Sequence, residues 1–170
     1  AAQHLRDARI APIYEDTNGI QALDFIGRKV LRDQAAGLNS LLADVKQTIE
    51  DAQNSNSSNA IQTASEKLKE AVALLDVSTA TVLERCTVNG EMAQVLASPY
   101  LRQAALCISG WLMLRAMMVV EGSPEKSDFQ TSKTKTCQFF FAQLLPEATF
   151  MATQIENSHM AELHETRPLF

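Results

Sequence analysis

Ile61-Gln62-Thr63-Ala64-Ser65-Glu66-Lys67-Leu68-Lys69-Glu70-Ala71-Val72-Ala73-Leu74-Leu75 decides the fold class. Ile61, Ala64, Leu68, Ala71 and Leu75 recur at steps of three and four, the period of a helix with one buried face. Val82, Leu83 and Cys86 prolong the stripe until Asn89-Gly90, where a helix end or tight turn is expected. A half-buried strand would alternate every second residue instead. Just upstream, residues 54–59 (Asn-Ser-Asn-Ser-Ser-Asn) hold no apolar side chain and read as a surface loop whose last members can cap the helix that follows.

The same period extends in both directions. Leu38, Leu41, Leu42, Val45, Ile49 and Ala52 form a stripe reaching about residue 51, and Gly37 either ends the preceding helix or bends it. Before it, Thr17 can cap a helix on which Ile20, Leu23, Ile26, Gly27, Val30 and Leu31 point one way, with Gly27 admitting a close neighbour. A first helix ends near Ile10, because Pro12 has no N–H to continue it, and residues 11–16 are a loop. Downstream, a short helical piece spans residues 91–97, and Ser98-Pro99 signals a new start. Leu101, Ala104, Ala105, Ile108, Trp111 and Leu112 then point inward, up to Glu121-Gly122. Ser123-Pro124-Glu125 or Asp128 opens the last helix, which runs through Phe140, Leu144, Ala148, Met151 and Ile155 and is kinked by Pro146. The expectation is an all-α protein: an antiparallel up-and-down four-helix bundle over residues 37–170, preceded by a helix-loop-helix over residues 1–36.

Composition narrows the function. A net charge of −5, with no dense run of Lys and Arg, argues against nucleic-acid binding. The most apolar stretch, residues 104–120, carries Ser109, Gly110 and Arg115 and falls short of a membrane span. Cys86, Cys107 and Cys137 sit in apolar helical patterns without metal or redox spacing, as small core side chains in a reducing, cytoplasmic setting do. Glu156 and His159 have the Glu-x-x-His spacing of bundle di-metal sites but lack a second pair, so with Glu162, His164 and Glu165 they read as a solvated helix end, and no metal is expected. A start at Ala1, already inside an amphipathic pattern, suggests part of a longer protein.

One segment carries chemistry. Arg6-Asp7-Ala8, then Ile13-Tyr14-Glu15-Asp16-Thr17, then Ile20-Gln21 closely resembles the acyl-CoA dehydrogenase family, in which a helix ends at the active site, a loop delivers a glutamate and another helix leaves. The helices that follow resemble the added C-terminal domain of longer bacterial members, which include enzymes acting on methylthiopropionyl-CoA. The resemblance implies that Glu15 takes the α-proton of an acyl-CoA thioester while hydride leaves the β-carbon for FAD. It also implies a backbone N–H from Glu15 toward the thioester oxygen, Tyr14 as a wall of the acyl pocket, and Thr17, Gly19 and Gln21 as cofactor contacts. An electron-transfer flavoprotein as acceptor and a homo-oligomer follow from the same likeness. The piece alone, lacking the other flavin and thioester contacts, is expected to hold no FAD and to be inactive.

Asp16 departs from the family, which usually has glycine there. It points to solvent, marks an altered substrate or marks a weakened enzyme. The last possibility defines the alternative function, a non-catalytic helical interaction or oligomerisation module. Arg6, Asp7 and Arg9 read as a helix-end charge cluster, and Trp111, Met117 and Phe139, Phe140 and Phe141 as core or interface residues.

Overall fold

The computed structural model describes residues 2–9, 17–124 and 127–158, which are helical almost throughout and contain no strand. The elements are α1 (Ala2–Ala8), α2 (Thr17–Asp24) running into a π-helical turn (Phe25–Leu31), α3 (Ala36–Asn54), α4 (Asn59–Val88) and α5 (Met92–Glu121). The chain ends in α6 (Asp128–Phe139), a second π-helical turn (Phe140–Leu144) and α7 (Glu147–Glu156). α5 lies at the centre and packs against α2, α3, α4, α6 and α7. α1 buries nothing; its charges are tied within the helix, with Gln3 donating to Asp7 at 2.7 Å and Arg6 donating to Gln3 at 2.8 Å.

The α3 and α4 stripes are buried as their spacing predicts, with Leu42, Val45, Leu68 and Leu75 fully inside. The α2 stripe is only half right. Ala22, Ile26 and Val30 enter the core, while Ile20 and Leu23 stay 65% and 42% exposed. The buried positions step by four, and after Asp24 the winding widens. Arg32 N–H donates to Gly27 O at 3.2 Å and Ala35 N–H to Val30 O at 2.8 Å, each five residues back. The break before α3 falls at Gln34 and Ala35, with φ of 54° and 61°, rather than at Gly37. Gly37 already lies inside α3, where its N–H donates to Asp33 Oδ2 at 3.0 Å, so Asp33 caps the new helix.

No neighbour exploits Gly27, since a Cβ added there would meet nothing within 4 Å. The close approach is at Gly110, where a Cβ would lie 3.0 Å from Leu68 Cδ1 and 3.4 Å from Leu145 Cδ1. α5 is also unbroken at Ser98-Pro99: Pro99 sits within one continuous helix, and Val95, whose carbonyl loses its donor, is 44% exposed and open to water. The inward face of α5 is Tyr100, Ala104, Cys107, Gly110, Leu114 and Met117, so Ala105 and Leu112 point outward. Apolar residues run all round this helix, and periodicity therefore could not orient it. By length and composition α5 could also cross a membrane, a reading that residues 104–120 alone did not suggest; its deeply buried residues here are those of a core helix.

Specific side chains fasten the ends. The α4 cap comes not from the 55–58 loop but from Glu121, whose carboxylate accepts from Ser58 N–H at 2.7 Å. Ser127 and Gln130 form a reciprocal capping box that starts α6. The kink expected at Pro146 is a π-helical turn. In π winding Phe141 O would accept from residue 146, a proline with no N–H, and Lys67 Nζ donates to that oxygen instead at 3.4 Å. Trp111 Nε1 donates to Thr48 at 2.8 Å, and Lys46–Asp76 and Arg102–Glu147 pair at 2.7 Å each.

Gln103 is fully buried on α5, and neither its Nε2 nor its Oε1 has a hydrogen-bond partner. Leaving an amide unsatisfied inside a core is costly, so Gln103→Met, which keeps the volume, is expected to stabilise the fold by about 1–2 kcal/mol in a urea melt.

Candidate functional site

Tyr14, Glu15 and Asp16 lie outside the described residues, as do Glu162, His159, His164 and Glu165. α2 begins at Thr17, whose side chain is also outside them, while Gly19 and Gln21 are described and exposed on its first turns. The first turn of a helix presents backbone N–H groups without an intrahelical acceptor. At Gly19 an added Cβ would meet nothing within 4 Å among the described residues. Among the described residues no cluster of His, Cys, Asp or Glu could hold a metal ion.

What holds α2 in place is Ala22 together with the π-helical turn that follows it. Ala22, Ile26 and Val30 enter the core, and the Phe25 ring lies 5.6 Å from that of Tyr100 on α5, tilted by 33°. Tyr100 is buried and hydrogen-bonded to Thr79 Oγ1 at 2.8 Å, and Thr79 in turn donates to Leu75 O at 2.7 Å. The anchor thus runs from the π-helical turn after α2 through α5 into α4.

Burial pushes the Tyr100 hydroxyl from 10.0 up to about 12, opposed by its bond to Thr79, and the Cys107 thiol from 9.0 up to about 12. Burial also raises the thiols of Cys86 and Cys137. Between the unfolded and folded values the folded chain retains protons that the unfolded chain releases, so stability is full below pH 9 and falls as pH rises toward 12. Urea melts on the alkaline side should lose about 1.4 kcal/mol per pH unit for each such group, and Cys107→Ala should flatten the slope.

Beside this anchor, the π-helical turn, the start of α3 and the middle of α5 enclose a groove of about 540 Å³. Phe25, Leu38, Leu41 and Ile108 form its floor, with Arg28, Lys29 and Arg32 along one lip. Sequence reading did not single out this lip, although three cations within five residues, two of them four apart, were the available signal.

The described residues thus define an all-helical packing domain. Residues 41–163 match a family model described as acetyl-CoA dehydrogenase C-terminal like. The chain is 29% identical over 160 residues to the 3-methylmercaptopropionyl-CoA dehydrogenase of Ruegeria pomeroyi, covering 92% of this chain and 27% of that protein. It is likewise 29% identical over 181 residues to the broad-specificity linear acyl-CoA dehydrogenase FadE5 of Mycobacterium tuberculosis, covering 96% of this chain and 28% of that one. The chain belongs to the acyl-CoA dehydrogenases, in the family of their C-terminal-like domains, and it spans 27–28% of the length of these two relatives.

Proposed function

We propose that the chain is the base-bearing end and helical extension of an FAD-dependent enzyme that introduces a double bond between the α- and β-carbons of an acyl-CoA thioester. The observation that carries this reading is the run Ile13-Tyr14-Glu15-Asp16-Thr17, placed directly before the start of α2, in a chain of this family. Residues 1–36 would complete the dehydrogenase's helical domain and residues 37–170 would form the extension.

Glu15 takes the α-proton. An ordinary solvated carboxylate is too weak a base for so weak an acid, so the loop must present it in a dry pocket, and its own backbone N–H turns toward the thioester oxygen, where charge develops. Tyr14 walls the acyl chain. FAD, when bound, would supply the acceptor for the hydride of the β-carbon. Thr17, Gly19 and Gln21 would hold the cofactor at the start of α2, where backbone N–H groups favour an anionic group. The anchor through Phe25 and Tyr100 keeps that helix end fixed relative to the core. An electron-transfer flavoprotein, a homo-oligomeric parent and a cytoplasmic setting complete the proposal.

The test compares the isolated 170-residue chain with the full-length parent. The expected result is a colourless chain without acyl-CoA-dependent dye reduction beside a yellow parent that has it. A yellow, active isolated chain would overturn the division of labour, and a parent that binds no flavin would leave the interaction-module reading.

A further inference from the structure

The groove beside α2 has a chemistry of its own, independent of the redox reading. Its volume of about 540 Å³ is that of a small-molecule site. Phe25, Leu41 and Ile108 are half-buried and Leu38 is buried, so the floor is apolar yet reachable. Arg28, Lys29 and Arg32 on the lip are exposed, in a chain whose net charge is −5, so the local field opposes that of the molecule as a whole.

The lip stays net cationic: Arg28, Lys29 and Arg32 stand against Asp24 and Asp33, and Asp33, the acid lining the groove, has one carboxylate oxygen accepting from Gly37 N–H at 3.0 Å. Arg28 pairs with Asp24 at 2.9 Å, but its side chain is 71% exposed, and such a pair holds weakly. Lys29 and Arg32 form no ion pair among the described residues. An apolar floor with a net cationic lip selects an occupant that is apolar at one end and anionic at the other. Size then separates a small molecule from a protein segment. A docked helix needs anchors over two turns or more, whereas this groove offers a floor from one turn of α3, one residue of α5 and Phe25.

We propose that this groove binds a single-chain anionic amphiphile, its tail on Phe25, Leu38, Leu41 and Ile108 and its carboxylate or phosphate head held by Lys29 and Arg32 with Arg28 turning in. Trp111, the chain's one tryptophan, is half-buried one turn beyond Ile108 on α5 and reports occupancy.

The test titrates the 170-residue chain with dodecanoate, dodecyl phosphate and neutral dodecanol, each below its aggregation threshold, and follows calorimetry and Trp111 emission. The expected result is saturable binding of an anion at one per chain, weakened by salt and reduced about tenfold or more in K29E/R32E. K29Q/R32Q, which is gentler on folding, should weaken it in the same direction, and both variants should melt with the parent chain. Dodecanoate binding in preference to dodecyl phosphate assigns a carboxylate head, and the reverse assigns a phosphate monoester. Dodecanol binding as tightly as the anions, binding unchanged in both variants, or no binding of either anion overturns the proposal. So would an acidic amphipathic peptide that binds the same cations more tightly than both anions.

Discussion

In the full-length enzyme, Glu15→Gln is expected to lower acyl-CoA turnover about 10²–10⁴-fold while the bound flavin remains, because a positioned general base contributes on that scale and the amide cannot take a proton. Under the proposal the α-proton must reach Glu15 for the double bond to form, so a stopped-flow trace should show the flavin-reduction step itself slowed. Acyl-CoA affinity should change far less, since the glutamine keeps the volume and the backbone N–H of residue 15. Retained turnover would remove Glu15 as the base. Asp16 makes the result informative in a second way. A carboxylate beside the base raises the energy of the charged form of both if they share a dry pocket. Asp16→Gly should then move the acidic limb of the rate profile, where the base loses its proton, to lower pH; if Asp16 faces water, the profile should stay where it is.

Arg85→Ala is expected to cost about 3 kcal/mol and to loosen the end of α7 first. The guanidinium donates to Ile155 O and Glu156 O at 2.8 Å each and to the Ser158 hydroxyl, which itself donates to Ile155 O at 2.8 Å, so one half-buried cation ties together the last turn of α7. It also sets a positive charge at the negative end of the helix. The melting temperature should fall by roughly 6–12 °C. Amide exchange should accelerate in Glu147–Glu156 before it does in α4. Arg85→Lys should recover part of the loss, because an ammonium keeps the charge but cannot span the same acceptors as a planar fork. Equal stability of Arg85→Ala and the parent chain would show that packing alone holds α7.

Where a helix has one apolar face, the spacing of residues located the core. Leu42, Val45 and Ile49 on α3, and Leu68, Ala71 and Leu75 on α4, are buried as their period predicts. The same rule misplaced Leu112 and Ala105, because α5 is apolar all round and its orientation depends on which helices surround it. Ile20 and Leu23 failed for another reason: the line at steps of four through Ala22, Ile26 and Val30 fits the helical period as well, and packing against α5 decides between the two lines. Local rules also placed a helix start at Pro99 and a break at Gly37. The molecule instead tolerates the proline where Val95 is exposed and makes its break at Gln34 and Ala35, with Ala35 buried. Long-range ties such as Glu121 to Ser58 and Arg85 to Ile155 join residues 63 and 70 apart and leave no local mark. For the candidate site, the run around Glu15 was legible only as a resemblance, since its composition is that of any polar loop. The basic lip of the groove was visible as three nearby cations, but its apolar floor is assembled from three separate elements.

The most direct test of the central claim is an anaerobic addition of acyl-CoA thioesters, spanning short to long chains and a thioether-containing chain, to the full-length protein with Asp16 unaltered. At least one thioester is expected to abolish the absorbance of bound oxidised FAD within a single turnover and to yield the α,β-unsaturated thioester. Flavin that is bound but stays oxidised with every thioester, and reacts only after Asp16→Gly, would contradict it.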